Sequence, residues 1–276
     1  MKRLLFIALF IILCQNSFGQ EVTRKITKIT GDLYRFQNNG HYAVFLVTNE
    51  GVITTDPINE AAAKWLKAEI KTRFNQPVKY VIYSHYHNDH ITGGKVFDNA
   101  IFVGHELTKK NIIANKIETP IPDKVFTKKK TITLGGKKVK LLYPGKSHSE
   151  DCIAIYFPEE KTVFGVDFIS VDRLPYRTLN GAFIPDWIKA IKKVEKLDFD
   201  IFSPGHGNVG TKADVKEHRA YFEALYSKVK HGISNGESLE EMKKTILLEA
   251  YKDMSQYDAW REMNIEGVYK ALSSKK

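Results

Sequence analysis

Ser84-His85-Tyr86-His87-Asn88-Asp89-His90 places four potential metal ligands within six consecutive positions. The run before it, Val78-Lys79-Tyr80-Val81-Ile82-Tyr83, is rich in β-branched and aromatic residues, as a buried strand should be. Gly93-Gly94 follows, where the pattern predicts the start of a helix. The ligands are therefore expected on a strand-to-helix turn. On such a turn His85 and His87, two residues apart, point to one side and converge on one ion, while Asp89 and His90 swing toward a second. A surface loop that happens to be rich in histidine is the competing explanation. With only nine histidines in the 276-residue chain, this spacing is hard to produce by chance.

Three further residues complete a ligand set, each just beyond or within a strand-like run. His148 precedes the alternating segment Cys152 to Phe157, Asp167 ends the apolar run Thr162 to Val166, and His206 sits in Pro204-Gly205-His206-Gly207. Alone, each would read as a hydrogen-bonded polar residue or a turn former. Together, His85, His87 and His148 supply three imidazoles for one ion, and Asp89, His90 and His206 supply three ligands for another. The carboxylate of Asp167 can bridge the two. Each ion then keeps an open position, the mark of a catalytic rather than a structural site.

On these residues the chain resembles the metallo-β-lactamase-fold superfamily of hydrolases, from about Leu33 to Gly207. The resemblance rests on the His-x-His-x-Asp-His turn, on His148, Asp167 and His206 in that order, and on Asp56 at the end of an early strand in Thr54-Thr55-Asp56-Pro57. It implies an α/β sandwich of two mixed β-sheets with helices on both outer faces, four layers in the order αββα, and metals in a groove at one sheet edge. It further implies that Asp56 orients the ligands by hydrogen bonding, because a metal-bound imidazole needs its other ring nitrogen held. Asp56 also reads as a simple turn residue before Pro57.

Departures from the antibiotic-hydrolysing members are informative. Asp167 stands where those enzymes carry Cys or Ser, and a bridging Asp looks more like the lactonase, thioesterase, phosphodiesterase and sulfatase branches. Ser170 occupies the place of a lysine that holds the drug's carboxylate in the Cys-containing enzymes, and Arg173 is the nearby candidate to replace it. The second site looks intact, unlike that of the superfamily's iron dioxygenases. Two segments are candidates to shape the pocket, residues 38–42 on a hairpin tip and the fourteen-residue irregular stretch 171–184. Within them His41, Tyr42, Tyr176 and Asn180 are the candidate substrate contacts.

The expected activity is that of a dinuclear hydrolase binding two Zn2+ per chain. A hydroxide shared by the ions would attack an ester, thioester, lactone or related amide of a small molecule, with Asp89 relaying a proton. Imidazole and carboxylate suit iron as well as zinc, but nothing beside the ligands supports redox chemistry. A β-lactamase, a phosphodiesterase or sulfatase, and a periplasmic metal-binding accessory protein are the alternatives.

Met1-Lys2-Arg3 followed by the ten-residue apolar run Leu4 to Leu13 reads as a signal peptide over residues 1–19, too short to span a bilayer. The mature chain would begin at Gln20, and the enzyme would be secreted or periplasmic. A lipoprotein anchored at Cys14 is the weaker alternative, because Leu13 before it is bulky. Loss of Cys14 leaves Cys152 as the sole thiol, which excludes an internal disulfide. The net charge of +10 includes lysine clusters around Gly135-Gly136, which read as the solvated face of a hairpin; no nucleic-acid motif accompanies them.

The expected organisation is a catalytic domain over residues 20–207 and a helical extension over 208–276 packed on it. Leu33 to Asp56 reads as strands joined by tight turns, Ala61 to Phe74 as a helix, and Thr131 to Tyr143 as a hairpin. Asp186 is expected to cap a helix carrying Trp187, Ile191 and Val194. The helical tail is expected to close one side of the groove. His105, His218 and His231 lie on predicted helices, where packing or surface roles are the default reading.

Overall fold

The computed structural model describes residues 22–273, so the predicted leader and Cys14 lie outside the described residues. The first half of the chain folds as β1 (Arg24–Thr30), β2 (Leu33–Asn38), β3 (His41–Thr48), β4 (Gly51–Thr55), α1 (Glu60–Phe74), β5 (Val78–Ile82), α2 (Asn88–Ile91), β6 (Ile101–His105) and α3 (Glu106–Ala114). It continues with β7 (Lys124–Phe126), β8 (Lys129–Leu134), β9 (Lys137–Leu142), β10 (Ala154–Phe157), β11 (Thr162–Gly165), α4 (Ile184–Glu195) and β12 (Ile201–Pro204). The last elements are β13 (Gly210–Thr211), α5 (Lys212–Ser234), α6 (Leu239–Thr245) and α7 (Tyr257–Ser273). Strands β1 to β7 form one sheet in sequence order, and the second sheet runs β13-β12-β11-β10-β9-β8. Both are mixed: β4, β5, β6 and β7 run parallel, as do β11 and β12, and the other pairs are antiparallel.

Strand alternation explains why the central strands bury both faces, whereas β8 and β9 bury one face only. On β3, Val44 and Leu46 face the second sheet and pack with Ile132, Val139, Ile155 and Phe164, while Ala43 and Phe45 face outward against Leu66 and Ile70 of α1. On β10, Ile155 and Phe157 join the core between the sheets, and Ala154 and Tyr156 face the helical layer of Trp187, Phe222 and Val268. The result is the expected αββα sandwich with helices on both outer faces. The Gly135-Gly136 link has both residues at positive φ, 54° and 78°, as a two-residue hairpin turn requires.

Three local expectations are corrected. The helix after β5 begins inside the histidine motif, at Asn88, and Gly93 (φ 82°) ends up beyond it, where an added Cβ would lie 2.3 Å from the Asn59 backbone. Asp186 sits in the first turn of α4, whose N-cap is Phe183 with Pro185 just inside, so it complements the helix dipole rather than capping. The two-residue β13 follows residue 207 and pairs with β12, so the second sheet extends past the predicted boundary and the helical part starts at Lys212. Among the described residues no helix is long and apolar enough to cross a membrane.

Of the histidines left without a site role, His105 ends β6 and caps α3, and His231 sits in the last turn of α5. His218 is fully buried against Phe222, and its Nε2 has no hydrogen-bond partner. Burial pushes its pKa down to about 3. The unfolded chain would bind a proton near pH 6.5 that the folded chain refuses, so stability falls as pH drops from about 6.5 toward 3. His218→Leu is expected to resist acid by on the order of 3 kcal/mol at pH 4. Coincident circular-dichroism pH titrations of variant and wild type would contradict this.

Candidate metal centre

The ends of parallel strands deliver the site. Asp56 follows β4, His85 and His87 follow β5, Asp167 follows β11, and His206 follows β12, while His148 comes from the loop before β10. Parallel neighbours finish at the same edge, so residues far apart in sequence meet there. His90 arrives on the single turn of α2 and is fully buried. Asp167 is aimed by a tight turn at positive φ, 63°, closed by Phe168 N–H donating to Val166 O at 2.8 Å. Such backbone is costly for a residue other than Gly and tends to persist at functional sites.

Two clusters result. His85, His87, His148 and Asp167 each offer one ligand atom, all within 4.8 Å of one another. His41, Asp89, His90 and His206 do the same. Asp167 stands between them: Oδ2 lies 3.4 Å from His85 Nε2, 3.5 Å from His148 Nε2 and 3.6 Å from His90 Nε2, and Oδ1 lies 3.3 Å from His206 Nε2. Ring nitrogens also face each other, His148 Nε2 to His87 Nδ1 at 3.3 Å and His90 Nε2 to His206 Nε2 at 3.2 Å. Lone pairs brought this close need a shared proton or cation. His85 Nε2, fully buried, has no hydrogen-bond partner although it points at the cluster. An orphaned buried imidazole nitrogen beside a carboxylate fits a metal-binding donor set.

Protonation supports that fit. Burial pushes His90 down to about 3 and His148 to about 4, and it lowers His87 and His206, so these rings offer lone pairs rather than positive charge at neutral pH. His85 moves the other way: burial lowers it, but Asp167 together with the nearby Asp151 and Asp56 carboxylates raises it by more. Burial opposes ionisation of Asp167, yet the surrounding imidazoles hold its carboxyl well below the usual range. Asp89 is likewise held low despite burial, through its hydrogen bond to His41.

Outer contacts orient the donors. Ser84 Oγ meets His85 Nδ1 at 2.9 Å. Asp56, fully buried, accepts from Ser84 N–H at 2.8 Å with Oδ1, and its Oδ2 lies 3.8 Å from His90 Nδ1. Burial raises its pKa to about 7. His206 Nδ1 donates to Gly40 O at 2.8 Å, and Arg35 donates to the carbonyls of Pro204 and Gly207 on either side of it, at 3.1 and 2.6 Å.

The expected substrate contacts divide. Arg173, Tyr176 and Asn180 line a cavity of about 390 Å³ over the clusters, with His41, Ile169, Ser170 and Leu174. Tyr42 does not line it: strand alternation turns it away from His41, and its ring stacks 3.5 Å from the Arg35 guanidinium. His41, expected only as a substrate contact, approaches Asp89 Oδ2 at 3.2 Å and joins the second cluster. Arg35 was missed altogether. No local signal marks it, because its partners lie about 170 residues downstream.

Comparisons with known proteins agree with this fold. Residues 54–206 match the family model described as the Metallo-beta-lactamase superfamily. A protein of Elizabethkingia meningoseptica named Metallo-beta-lactamase type 2 is 30% identical over 192 residues, which cover 66% of this chain and 77% of that protein. The 2,4-dinitroanisole O-demethylase subunit alpha of a Nocardioides species is 27% identical over 162 residues, 56% of this chain and 49% of that one. Among solved structures, a metallo-beta-lactamase from Pontibacter korlensis superposes with a TM-score of 0.67 at 23% identity, covering 73% of this chain and 99% of that chain, a likeness of fold.

Proposed function

Because the chain belongs to the metallo-beta-lactamase superfamily, as a metallo-hydrolase of that fold, we propose that it is a dinuclear zinc enzyme cleaving an ester, thioester, lactone or related amide of a small molecule. The observation that carries the reading is the pair of His/Asp clusters around one carboxylate, Asp167, open to a cavity. His85, His87 and His148 would hold one ion, Asp89, His90 and His206 the other, and Asp167 both. When bound, zinc supplies Lewis acidity toward the scissile bond and lowers the pKa of water toward about 7. The protein's own groups do the rest. Asp89, half-exposed at the cavity and anchored by His41, is the proposed proton carrier between water and leaving group. His41, Arg173, Tyr176 and Asn180 would orient the substrate, and the apolar Ile169 and Leu174 would exclude water from it. The leader-like residues 1–19 support export to the periplasm or beyond.

A second reading, hydrolysis of β-lactams, is supported by the printed name of the Elizabethkingia relative. The aspartate at position 167 favours the first. A panel of nitrocefin, p-nitrophenyl esters, a thioester, a lactone, bis-p-nitrophenyl phosphate and 2,4-dinitroanisole separates the two when combined with elemental analysis. Two zinc per chain with turnover of a carbon-centred ester are expected, and His206→Ala should lose one metal equivalent and roughly 100-fold or more in rate. An intact mass beginning at Gln20 in exported protein would support the leader. One iron per chain, with a His206→Ala variant as active as wild type, would overturn the dinuclear zinc reading.

A further inference from the structure

Half of the cavity wall comes from one stretch of backbone that does not hold itself in place. Residues 169–180 contribute Ile169, Ser170, Arg173, Leu174, Tyr176 and Asn180 to the lining. Apart from a single 3-10 turn at Leu179–Gly181 this stretch has no regular structure, and Asp172, Arg177, Leu179 and Asn180 all have positive φ, between 44° and 59°. Left-handed backbone at four non-glycine residues persists only where the surroundings over-determine it. Those surroundings include α7 and the turn leading into it, which lie beyond the family match at residues 54–206. No residue of α5, α6 or α7 lines the cavity, so the tail does not close the groove directly.

The attachment is made at several points. Asn264 of α7 is fully buried, and its Nδ2 donates both to Pro175 O at 3.0 Å and to Arg177 O at 2.5 Å. Its Oδ1 accepts from Tyr221 OH of α5 at 2.7 Å, while the two loop carbonyls by themselves require Nδ2 to face them. One helical turn on, Gly267 lets the helix touch the loop: a Cβ there would lie 2.3 Å from Thr178 O. At the other end Ser255 exchanges backbone hydrogen bonds with Asp172 and Leu174, both at 3.0 Å. Between these points Trp260 packs against Tyr176, with ring centroids 5.2 Å apart, and lies under the Arg173 guanidinium at 4.6 Å. Two residues that face the cavity are thus backed by one side chain of the tail.

We propose that Asn264 and Gly267 are positioning residues through which α7 fixes the backbone of residues 172–180, and so sets which substrates the cavity admits. The assignment of the cavity as a substrate site rests on the function proposed above. Neither residue touches a metal-ligand candidate, so the clamp is separable from metal binding.

The test compares full-length wild type with Asn264→Asp, Gly267→Ala, Trp260→Ala and Tyr221→Phe. Asn264→Asp keeps the acceptor for Tyr221 OH and replaces the loop's donor by a second oxygen. Tyr221→Phe removes a buried bond while leaving both loop contacts, and so reports general loss of stability. Deuterium exchange over residues 172–180, metal content, and kcat/KM on p-nitrophenyl acetate and p-nitrophenyl octanoate are measured. The first three variants are expected to exchange at least about tenfold faster in that stretch with unchanged metal content. They should also shift the octanoate-to-acetate ratio of kcat/KM by about tenfold, mainly through KM, and Tyr221→Phe should do neither. Unchanged exchange in Asn264→Asp and Gly267→Ala, or equal losses on both esters, would overturn the clamp. If the wild type cleaves neither ester, kcat/KM is compared on the panel substrate it does turn over; if it turns over none, the functional reading fails on its own, and the exchange data still decide whether α7 holds the loop.

Discussion

Asp167→Ala is expected to abolish turnover and to reduce the bound metal, with an affinity loss exceeding the 10–100-fold that follows from removing an outer orienting group alone. The reason is geometric. Both oxygens of Asp167 face imidazole nitrogens, and the four histidines they approach, His85, His90, His148 and His206, come from both clusters. Taking the carboxylate away would remove the anion that offsets positive charge for both of the proposed ions. Asp167→Asn, which keeps the shape but not the charge, should lose metal almost as completely. Elemental analysis of dialysed protein beside the hydrolase panel checks both variants. A variant that retains two metal equivalents and wild-type turnover would show that Asp167 does not serve both sites.

Asp56→Ala is expected to weaken metal binding by about 10–100-fold without touching a metal, and to destabilise the fold by roughly 1–3 kcal/mol. The Ser84 amide hydrogen is buried on Asp56 Oδ1, and the alanine variant leaves that donor unsatisfied one residue before His85. His90 Nδ1 would also lose the Asp56 carboxylate oxygen 3.8 Å from it. Asp56→Asn separates the two effects, because its amide oxygen can still accept from Ser84 while the charge is gone. Chelator competition followed by thermal melts of the metal-free proteins distinguishes them. Equal metal affinity in Asp56→Ala and wild type would reduce Asp56 to a turn residue before Pro57.

Much of the site was legible because its donors are packed into one heptapeptide and three strand ends. The strand before Ser84 is visible in Val78 to Ile82, and the later strands end at Gly165 and Pro204, so His85, Asp167 and His206 fall just beyond strand ends. That reasoning brings together the residues of both clusters except His41. The ring of His41 meets Asp89 because β2 and β3 pair from Asn38 to His41, and because Gly40 O is held by His206 from the other sheet. Neither relation leaves a trace in local composition. Tyr42 was misplaced for a related reason: membership of a hairpin tip does not say which side chain faces the cavity, and alternation sends neighbours to opposite faces.

The sequence by itself determined the sandwich's strands and turns, the histidine-rich turn and the chemical nature of the donors, since these depend on short-range periodicity and on residue type. Only the tertiary structure decided that His41 joins the second cluster, that Arg35 supports the His206 loop, and that α7 backs the cavity wall through Asn264 and Gly267. Those contacts join residues between 48 and about 170 positions apart, and their register is set by how sheets and helices pack rather than by any pattern a local window contains.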